Sequence, residues 1–442
     1  MTNKPYAKIG AAVFIALGAT WLGTTWYGGQ QIMKQYPEAL TKLSGSELGA
    51  MKFVITKQEA GFFSSHINWD LIITPNPCAP NATFKISGYD DIRNGLIPSL
   101  GFGQVQSHII WPESAKPFLT KMFGEKEPLR ITTTMGLLGE LTSKISSPIA
   151  TYKDEKGTLD WKGLSGSISR SRDEKNSDTE IDFAGVHLTN SQQQFVIQLD
   201  KISYESHLDQ GASGLGLGKS ELSVSGLNVE KDGKTYGFKK LDINSDASEK
   251  DGFFAVGVKA NVESFLRNGQ TIGKFDMAFH ADHIDAKALK NVNDLFKKVR
   301  SECKPNYDGL IQAAQPIFAK GVHATLKNVD LELFDGKAHA EGKAKLPSLS
   351  AAEVQDPKLG LLKLEIDGKA NFTEKLISAI VGVMLESNSQ GQPVDPQLKA
   401  QVVAQMLEKP LSAGLIVKAA DEYTSSFQVR QGKTIVNGKA LN

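Results

Sequence analysis

From Ala50 onward, apolar residues recur at every second position, which is the period of a β-strand with one apolar and one polar face. In residues 195–199, for example, Phe195, Ile197 and Leu199 share one face of a strand. Two-residue turn signals separate several such runs, namely Asp232-Gly233, Asp251-Gly252, Asn268-Gly269, Asp335-Gly336 and Asp367-Gly368. The pattern predicts a mainly β protein, in which successive hairpins build a large curved antiparallel sheet.

The alternation is interrupted at two places that constrain the connections between strands. At Asp200-Lys201 its phase slips, which predicts a bulge or a tight connection. Residues 211–218 are rich in glycine and lead into Lys219-Ser220, so they resemble part of a phosphate-binding loop. Such a loop opens a helix, whereas the residues that follow here alternate as a strand. The sequence therefore predicts a glycine-rich hairpin loop.

Helical patterns are confined to four segments, in which apolar residues recur at a spacing of three to four or a capping residue opens the run. The predicted helices lie within residues 112–123, 286–299, 373–387 and 395–409. We predict that the chain after residue 49 forms two β-rich lobes, one over residues 50–285 and the other over 286–442.

The N-terminus carries a separate signal. Lys4 and Lys8 precede a stretch without charged residues over positions 9–33. A helix over the most apolar part, residues 9–27, is roughly 28 Å long, close to the ~30 Å hydrocarbon core of a bilayer. Aromatic residues that favour the membrane interface cluster at its far end: Trp21, Trp26 and Tyr27. The stretch is therefore predicted to be a transmembrane helix.

The order of these features predicts the topology. Because the basic residues precede the apolar stretch, the positive-inside rule places residues 1–8 in the cytoplasm. A single-pass inner-membrane anchor over residues 9–29 and a linker over 30–49 follow, and the bulk of the chain is expected in the periplasm. The alternative is a signal peptide cleaved near Ala16-Leu17-Gly18. The apolar run continues past that site, which favours the uncleaved anchor.

The chain has two cysteines, Cys78 and Cys303, and both lie near prolines. An exported domain permits them to form a disulfide. Two free thiols are the alternative. Neither cysteine belongs to a C-x-x-C motif or has a histidine nearby, so the sequence offers no sign of a catalytic thiol.

The charge balance argues against one class of function. Lys and Arg number 50 against 49 Asp and Glu, which gives a formal net charge of +1. Nucleic-acid-binding proteins need a basic excess to neutralise phosphates. With 40% hydrophobic and 22% charged residues, the chain is too apolar to be disordered and too polar to be a polytopic transporter.

No motif in the sequence indicates catalysis, cofactor binding or metal binding. His280 and His283 are three apart on a predicted strand, so they are expected on opposite faces, where they could not share a metal ion. Asp90-Asp91 is expected in a solvated turn beside Gly88. Residues 163–167 do not match the G-x-S-x-G elbow of serine hydrolases. We therefore predict no catalytic residues, no cofactor-binding residues and no metal ligands.

Four segments in order along the chain carry a resemblance: Gly-Phe-Phe-Ser-Ser at 61–65, Ile-Arg-Asn-Gly-Leu-Ile-Pro at 92–98, Asp-Trp-Lys-Gly-Leu-Ser-Gly at 160–166, and Gln-Gly-Lys-Thr-Ile-Val-Asn-Gly-Lys at 431–439. Together they resemble the YdgA/YihF-like family of Gram-negative envelope proteins, domain of unknown function 945. The resemblance implies an inner-membrane-anchored envelope protein and supplies no catalytic residues. The family usually has His-Gly-Pro where this chain has Asn94-Gly95-Leu96, which argues against a chemical role there.

A sheet with one apolar face must cover that face. Helices or a second sheet would give an ordinary core, incomplete cover would leave an apolar groove suited to an acyl chain, and pairing between protomers would bury the same surface. The expected function is a non-enzymatic binding or scaffolding role in the cell envelope, as a homodimer. The alternative is lipid or acyl-chain binding or transfer between membranes, and a hydrolase of envelope glycans or peptides is less favoured.

Overall fold

The structure is a computed structural model that describes residues 22, 25–27, 29–34, 36–38, 51–76, 78–79, 83–97, 101–300, 303, 307–388 and 395–441. Within these residues the chain forms 24 strands and seven bounded helices, and the described residues between 22 and 38 are helical. The prediction of a mainly β protein with a large antiparallel sheet and few helices is confirmed.

The chain divides into two compact units. The first comprises Met1–Lys153, Asp160–Ala184 and Asn293–Gly309, and the second comprises Asp154–Leu159, Gly185–Val292 and Leu310–Asn442. The lobe boundary expected from the sequence at residues 285–286 is a different division and stays a prediction.

In the first unit, consecutive antiparallel strands pair in the order β1–β2–β3–β4–β5–β6–β9–β10. Their bounds are β1 (Met51–Glu59), β2 (Ser64–Ile73), β3 (Phe84–Ile97), β4 (Gly101–Ile110), β5 (Arg130–Met135), β6 (Leu141–Ser147), β9 (Leu164–Arg170) and β10 (Asn176–Phe183). The intervening strands β7 (Ala150–Asp154) and β8 (Gly157–Trp161) contain the positions at which the units divide.

The core of the first unit lies between this sheet and the helical residues 22–38. Ile32 and Tyr36 pack with Ile67, Ile92 and Val105, all of them buried. The close approach of helix and sheet depends on a glycine. A Cβ atom at Gly103 would lie 2.2 Å from Cδ1 of Ile32 and 2.9 Å from the carbonyl oxygen of Arg93, so a larger residue there would force the Ile32 side chain to move.

In the second unit, antiparallel strands pair in the order β11–β12–β14–β15–β16–β17–β18–β19–β20–β22–β23–β24. Their bounds are β11 (Val186–Asn190), β12 (Phe195–Leu199), β14 (Gly216–Lys231), β15 (Lys234–Lys250), β16 (Phe253–Arg267), β17 (Gln270–Asp285), β18 (Val322–Leu333), β19 (Gly336–Leu346), β20 (Glu365–Thr373), β22 (Glu422–Arg430), β23 (Lys433–Val436) and β24 (Lys439–Leu441). Strands β13 (Ile202–Gln210) and β21 (Val417–Ala419) pair with parts of β14 and β22, respectively.

At the predicted phase slip, two strands follow each other in line and pair with β14 in one unbroken register, so the structure has neither a bulge nor a turn there. Strand β12 ends at Leu199 and β13 begins at Ile202, so Asp200-Lys201 joins them directly. Both strands pair with β14, β12 through the second half of that strand and β13 through the first half. The glycine-rich loop lies between β13 and β14, which confirms the hairpin prediction.

Three of the five predicted turns have the expected geometry. Asp232-Gly233, Asp251-Gly252 and Asn268-Gly269 have positive φ at both residues, as a two-residue type I′ turn requires. At the fourth predicted turn, Asp335-Gly336, the positive φ angles belong to Phe334 and Asp335, one residue earlier than predicted. The Asp367-Gly368 prediction is wrong, because both residues lie within β20, where the ring of Phe427 occupies the space above Gly368.

The helices are α1 (Lys116–Phe123), α2 (Ala286–Arg300), α3 (Asp308–Lys320), α4 (Ala351–Gln355), α5 (Pro357–Lys363), α6 (Glu374–Asn388) and α7 (Pro396–Ser412). All four predicted helices are present. Helix α7 extends beyond the predicted end at 409 and includes Pro410 in its last turn. The helical hydrogen bonding continues past this proline, since the backbone N–H of Ala413 donates to the carbonyl oxygen of Lys409 at 3.0 Å. Helix α3 was not predicted, since Pro316 lies inside it.

The predicted membrane anchor at residues 9–29 falls largely outside the described residues, as do the cytoplasmic segment at 1–8 and much of the linker at 30–49. Among the helices that the structure describes, none combines the length and the apolar character needed to cross a membrane.

Candidate functional site

One face of the second unit's sheet is apolar across eight adjacent strands. A single row of residues, paired in register from β14 to β22, illustrates this face: Val224, Leu241, Val262, Phe275, Leu331, Ala338, Phe372 and Tyr423. Seven steps of about 4.8 Å between strands give the row a length of about 34 Å. We call these residues and their neighbours on the same side of the sheet the apolar face.

The opposite side of the sheet is polar at the next position of every strand. Its corresponding row is Ser223, Asp242, Asn261, Asp276, Asp330, His339, Asn371 and Thr424. Hydrogen bonds run along this row, including Ser223 Oγ to Asp242 at 2.8 Å and His339 Nδ1 to Asp330 at 2.7 Å. This polar face is the solvated side expected of an antiparallel sheet.

The apolar face is only partly covered. Ile243, Met277 and Phe279 are half-buried, whereas Val224 and Val262 of the same face are buried. A face covered throughout by a second layer would bury all its apolar side chains almost completely. The apolar face is therefore partly accessible around Ile243, Met277 and Phe279.

Cover is concentrated at one end of this face, where α6 and α7 lie. Val381 of α6 packs with Val403 and Leu407 of α7 and with Tyr423 of β22 in a buried cluster. Helix α6 approaches the sheet closely, because a Cβ atom at Gly336 would lie 2.3 Å from the backbone nitrogen of Leu376. The helix is fixed to this end of the face.

A cavity of about 920 Å³ lies beside α6, at the edge of the apolar face. Arg267, which is paired in register with Tyr236, lines it and binds Glu386 of α6 at 2.7 Å. Lys375 and Lys399 also line the cavity, and Lys399 lies against Gly382 of α6. Acidic side chains line the same cavity, namely Asp335, Glu374, Glu386 and Asp421, so it presents charges of both signs.

A carboxylate at the same cavity is held ionised. Glu374 at the start of α6 accepts hydrogen bonds from Lys418 Nζ and from the hydroxyl of Tyr423, both at 2.9 Å. The hydrogen bond from Lys418 and then that from Tyr423 lower the pKa of Glu374. The Lys418 ammonium is therefore partly neutralised, whereas the structure gives no ion pair for Lys375 or Lys399 among the described residues.

The expectation that His280 and His283 lie on opposite faces is wrong. The pairing of β16 with β17 shifts between Phe254 and Val256, and His283 has a φ of 59°. This bulge turns His283 toward His323, with ring centroids 5.2 Å apart, while Asp282 contacts both His280 and His323. Within the described part of the chain, no group of three or more histidine, cysteine or acidic residues is arranged to hold a metal ion.

The sequence also misplaced Asp90. Instead of a solvated turn, Asp90 occupies β3 and is 0% exposed, beneath the helical residues 22–38. Burial raises its pKa, although Ser107, Trp69 and Tyr36 next to the carboxyl partly oppose this shift. Neither carboxyl oxygen has a partner in hydrogen-bond geometry. Alternation along β3 places Asp90 on the same side as the buried Ile92, and this was the signal in the sequence that could have found it.

The remaining predicted residues are placed as follows. The sulfur atoms of Cys78 and Cys303 are bonded, and their Cα atoms are 4.5 Å apart. Trp26 and Tyr27 are exposed, while Trp21 lies outside the described residues. Asn94, in the segment that departs from the family pattern, is buried and donates from Nδ2 to the carbonyl oxygens of Gly61 and Phe62.

Neither a curated protein nor a solved structure matches the chain. A match to the family described as "Bacterial protein of unknown function (DUF945)" extends over residues 3–442. Because this match covers nearly the whole chain, the protein belongs to the DUF945 family.

Proposed function

We propose that the protein is a non-enzymatic protein of the cell envelope that binds lipid acyl chains on the apolar face of its second unit. In this proposal the predicted anchor holds the protein in the inner membrane through its part before Thr25, because Thr25 and Gly29 pack on β3 of the first unit. The bulk of the chain lies in the periplasm. The observation that carries the proposal is the row of apolar residues across eight strands, whose neighbours remain half-buried in the middle of the sheet.

The dimensions of the face suit an acyl chain. One leaflet accounts for half of the ~30 Å hydrocarbon core, so an acyl chain that spans a leaflet covers ~15 Å and fits within a row of about 34 Å. Contact with a lipid chain would remove accessible apolar surface from water, at about 25 cal/mol per Å². The gain is spread over many side chains and needs no conserved polar motif, which agrees with the absence of one in the sequence.

Helix α6 favours an acyl chain over a second copy of the sheet as the occupant. Sheets pack face to face at ~10 Å, and a helix on a sheet is itself ~10 Å across, so a second sheet would meet α6. A flexible chain can lie beside the helix. The cavity next to α6 offers Lys375 and Lys399 to an anionic head group.

The anchoring part of the proposal is supported by the sequence. Residues 9–33 lack charged side chains and follow two lysines, and the described residues between 22 and 38 continue as a helix toward the first unit. An anchored protein with an accessible apolar face would draw its ligand from the membrane that holds it.

Native mass spectrometry of the full chain, released from inner membranes in mild detergent, tests the proposal. Neighbouring residues of β17 provide a matched pair of variants, because Met277 lies on the apolar face and Ala278 on the polar face. We expect bound phospholipid or fatty acid in the wild type and in Ala278→Asp, and its loss in Met277→Asp. Lipid that merely surrounds the anchor would be the same in all three proteins.

Equal lipid content in all three proteins would overturn the proposal. A lipid-free dimer of the wild type that dissociates in Met277→Asp would instead support scaffolding through pairing of the apolar faces.

A further inference from the structure

We propose that one end of the first unit's sheet rests on the bilayer, with the β1–β2 and β5–β6 turns in the interfacial region. This second membrane contact rests on the anchoring part of the proposed function. It is independent of lipid binding by the second unit.

The direction of the helical residues 22–38 identifies the end of the sheet that faces the membrane. Close contacts place Thr25 beside Gly95, Gly29 beside Asn94 and Ile32 beside Gly103. Tyr36, one further turn along, lies next to Asp90. The helix therefore runs along β3 from Gly95 toward Asp90. Thr25 and Gly29, at the end of the predicted anchor, already pack on this strand, so the part of the anchor before Thr25 enters at the Gly95 end.

The turns at this end can be identified from the strand register. One row of paired residues crosses six strands close to it: Ser64, Arg93, Gln104, Thr134, Thr142 and Ser169. The β1–β2 turn precedes Ser64, and the β5–β6 turn lies between Thr134 and Thr142. Both turns therefore project from the end at which the anchor enters.

Both turns carry apolar side chains at their tips. Phe62 and Phe63 stack edge to face in the β1–β2 turn, with Phe63 55% exposed. Leu138 in the β5–β6 turn is 83% exposed, and Leu137 beside it is exposed as well. These side chains are costly to leave in water and would be stabilised at the boundary between head groups and acyl chains.

The β1–β2 turn is fixed in place next to the helix. The side-chain amide of buried Asn94 donates to the carbonyl oxygens of Gly61 at 2.9 Å and of Phe62 at 3.3 Å. Gly29 of the helix lies against the same Asn94 side chain. Asn94 therefore couples the turn to the helix that leads out of the membrane.

A basic residue lies beside the β5–β6 turn. Arg172, in the β9–β10 turn at the same end of the sheet, packs its side chain against Gly139 of the β5–β6 turn. A guanidinium group at this depth can reach lipid phosphates, as basic residues at membrane interfaces do. Exposed apolar residues also occur at the other end, such as Ile149 beyond β6, so exposure alone does not select an end. The end that faces the membrane is selected by the direction in which the anchor enters.

Fluorescence of the full chain in vesicles of phosphatidylethanolamine and phosphatidylglycerol tests the inference. An environment-sensitive fluorophore is attached to Leu138→Cys or to Ile149→Cys, the matched control at the opposite end of β6. Both positions are strongly exposed, 83% and 71%, so labelling leaves the fold intact. Cys78 and Cys303 are joined to each other and do not react.

We expect emission at position 138 to shift to the blue and to be quenched by spin-labelled lipid, while the fluorophore at position 149 is quenched by aqueous iodide. If the protein floats with the vesicles but both positions are quenched only by iodide, this inference is wrong, while the proposal of an N-terminal membrane anchor is supported. If the protein does not float with the vesicles, the anchoring proposal fails and this inference fails with it.

Discussion

The two units share the same alternating sequence pattern, but their sheets differ in how far the apolar side is covered. In the first unit the apolar side of the sheet is covered by the helical residues 22–38, and Ile67 and Ile92 are 0% and 1% exposed. In the second unit the apolar face is longer, yet Ile243 and Met277 in its middle are only half-buried. The difference teaches that alternation specifies a one-sided strand, whereas cover depends on a helix placed elsewhere in the sequence.

Buried polar residues occur in both units, and they are satisfied differently. Asp90 and Ser107 face the helix in the first unit, and both carboxyl oxygens of Asp90 are without hydrogen-bond partners. Buried Asp285 of the second unit accepts a hydrogen bond from the backbone N–H of Ala288 and pairs with Lys320. On the polar face of that unit's sheet, Asp242 and Asp330 also accept hydrogen bonds.

The largest expected effect contrasts the same substitution on the two sheets. We expect Ile92→Ala to lower the free energy of unfolding by about 4 kcal/mol, because a fully buried side chain leaves a cavity. Ile243→Ala should cost about 1 kcal/mol, because its side chain is already partly in water. Urea unfolding of the full chain measures both, and equal losses would show that the apolar face is covered after all.

The next effect tests how the helix is held. Gly103→Ala places a methyl group against Ile32 and should destabilise the first unit by about 2 kcal/mol through overpacking. The control is Gly257→Ala in β16, where a Cβ meets only the flexible side chain of Asp246. Thermal unfolding should separate the two variants, and identical melting temperatures would contradict close packing of the helix on β4.

A smaller effect of opposite sign is expected for Asp90→Asn, which should stabilise the protein at pH 7 because the variant buries no ionisable group there. The pKa of Asp90 is raised in the folded state, so the folded state holds its proton more tightly than the unfolded state. Stability of the wild type should therefore fall as pH rises above the ordinary value of 3.8. In the variant, the free energy of unfolding should not fall in this way between pH 4 and 7, as measured by urea unfolding. The same dependence on pH in both proteins would show that Asp90 is not its cause.

The smallest effect concerns the polar face. The hydrogen bond from His339 lowers the pKa of Asp330, so this pair contributes stability above the ordinary carboxyl pKa and loses it as pH falls. Because both side chains are well exposed, Asp330→Asn should change the free energy of unfolding by about 0.5 kcal/mol or less. A loss above that range in urea unfolding would indicate that the polar face is buried against something.

Much of the fold was predictable because it follows from local pattern. Alternation located the strands around Ile197 and Ile243, and Asn268-Gly269 gave a turn whose geometry only such residues adopt easily. Predictions failed where a distant residue decides the outcome. Gly368 lies inside a strand because Phe427 needs the space above it, and the bulge at His283 changes the phase of β17.

The candidate site was predictable only in its composition. The apolar positions of each strand could be read from the sequence, but their joining into one row depends on the register of eight strands. Whether that row is covered depends on where α6 packs, and this is decided by tertiary contacts such as that between Gly336 and Leu376.

Photocrosslinking in living cells tests the central claim most directly. A benzophenone amino acid is incorporated into the full chain at Phe279, on the apolar face, or at the adjacent Ala278, on the polar face. After irradiation, the mass of the purified protein is measured. The account predicts a lipid adduct at position 279 and none at 278. No lipid adduct at 279, or crosslinking there only to another copy of the chain, would contradict it.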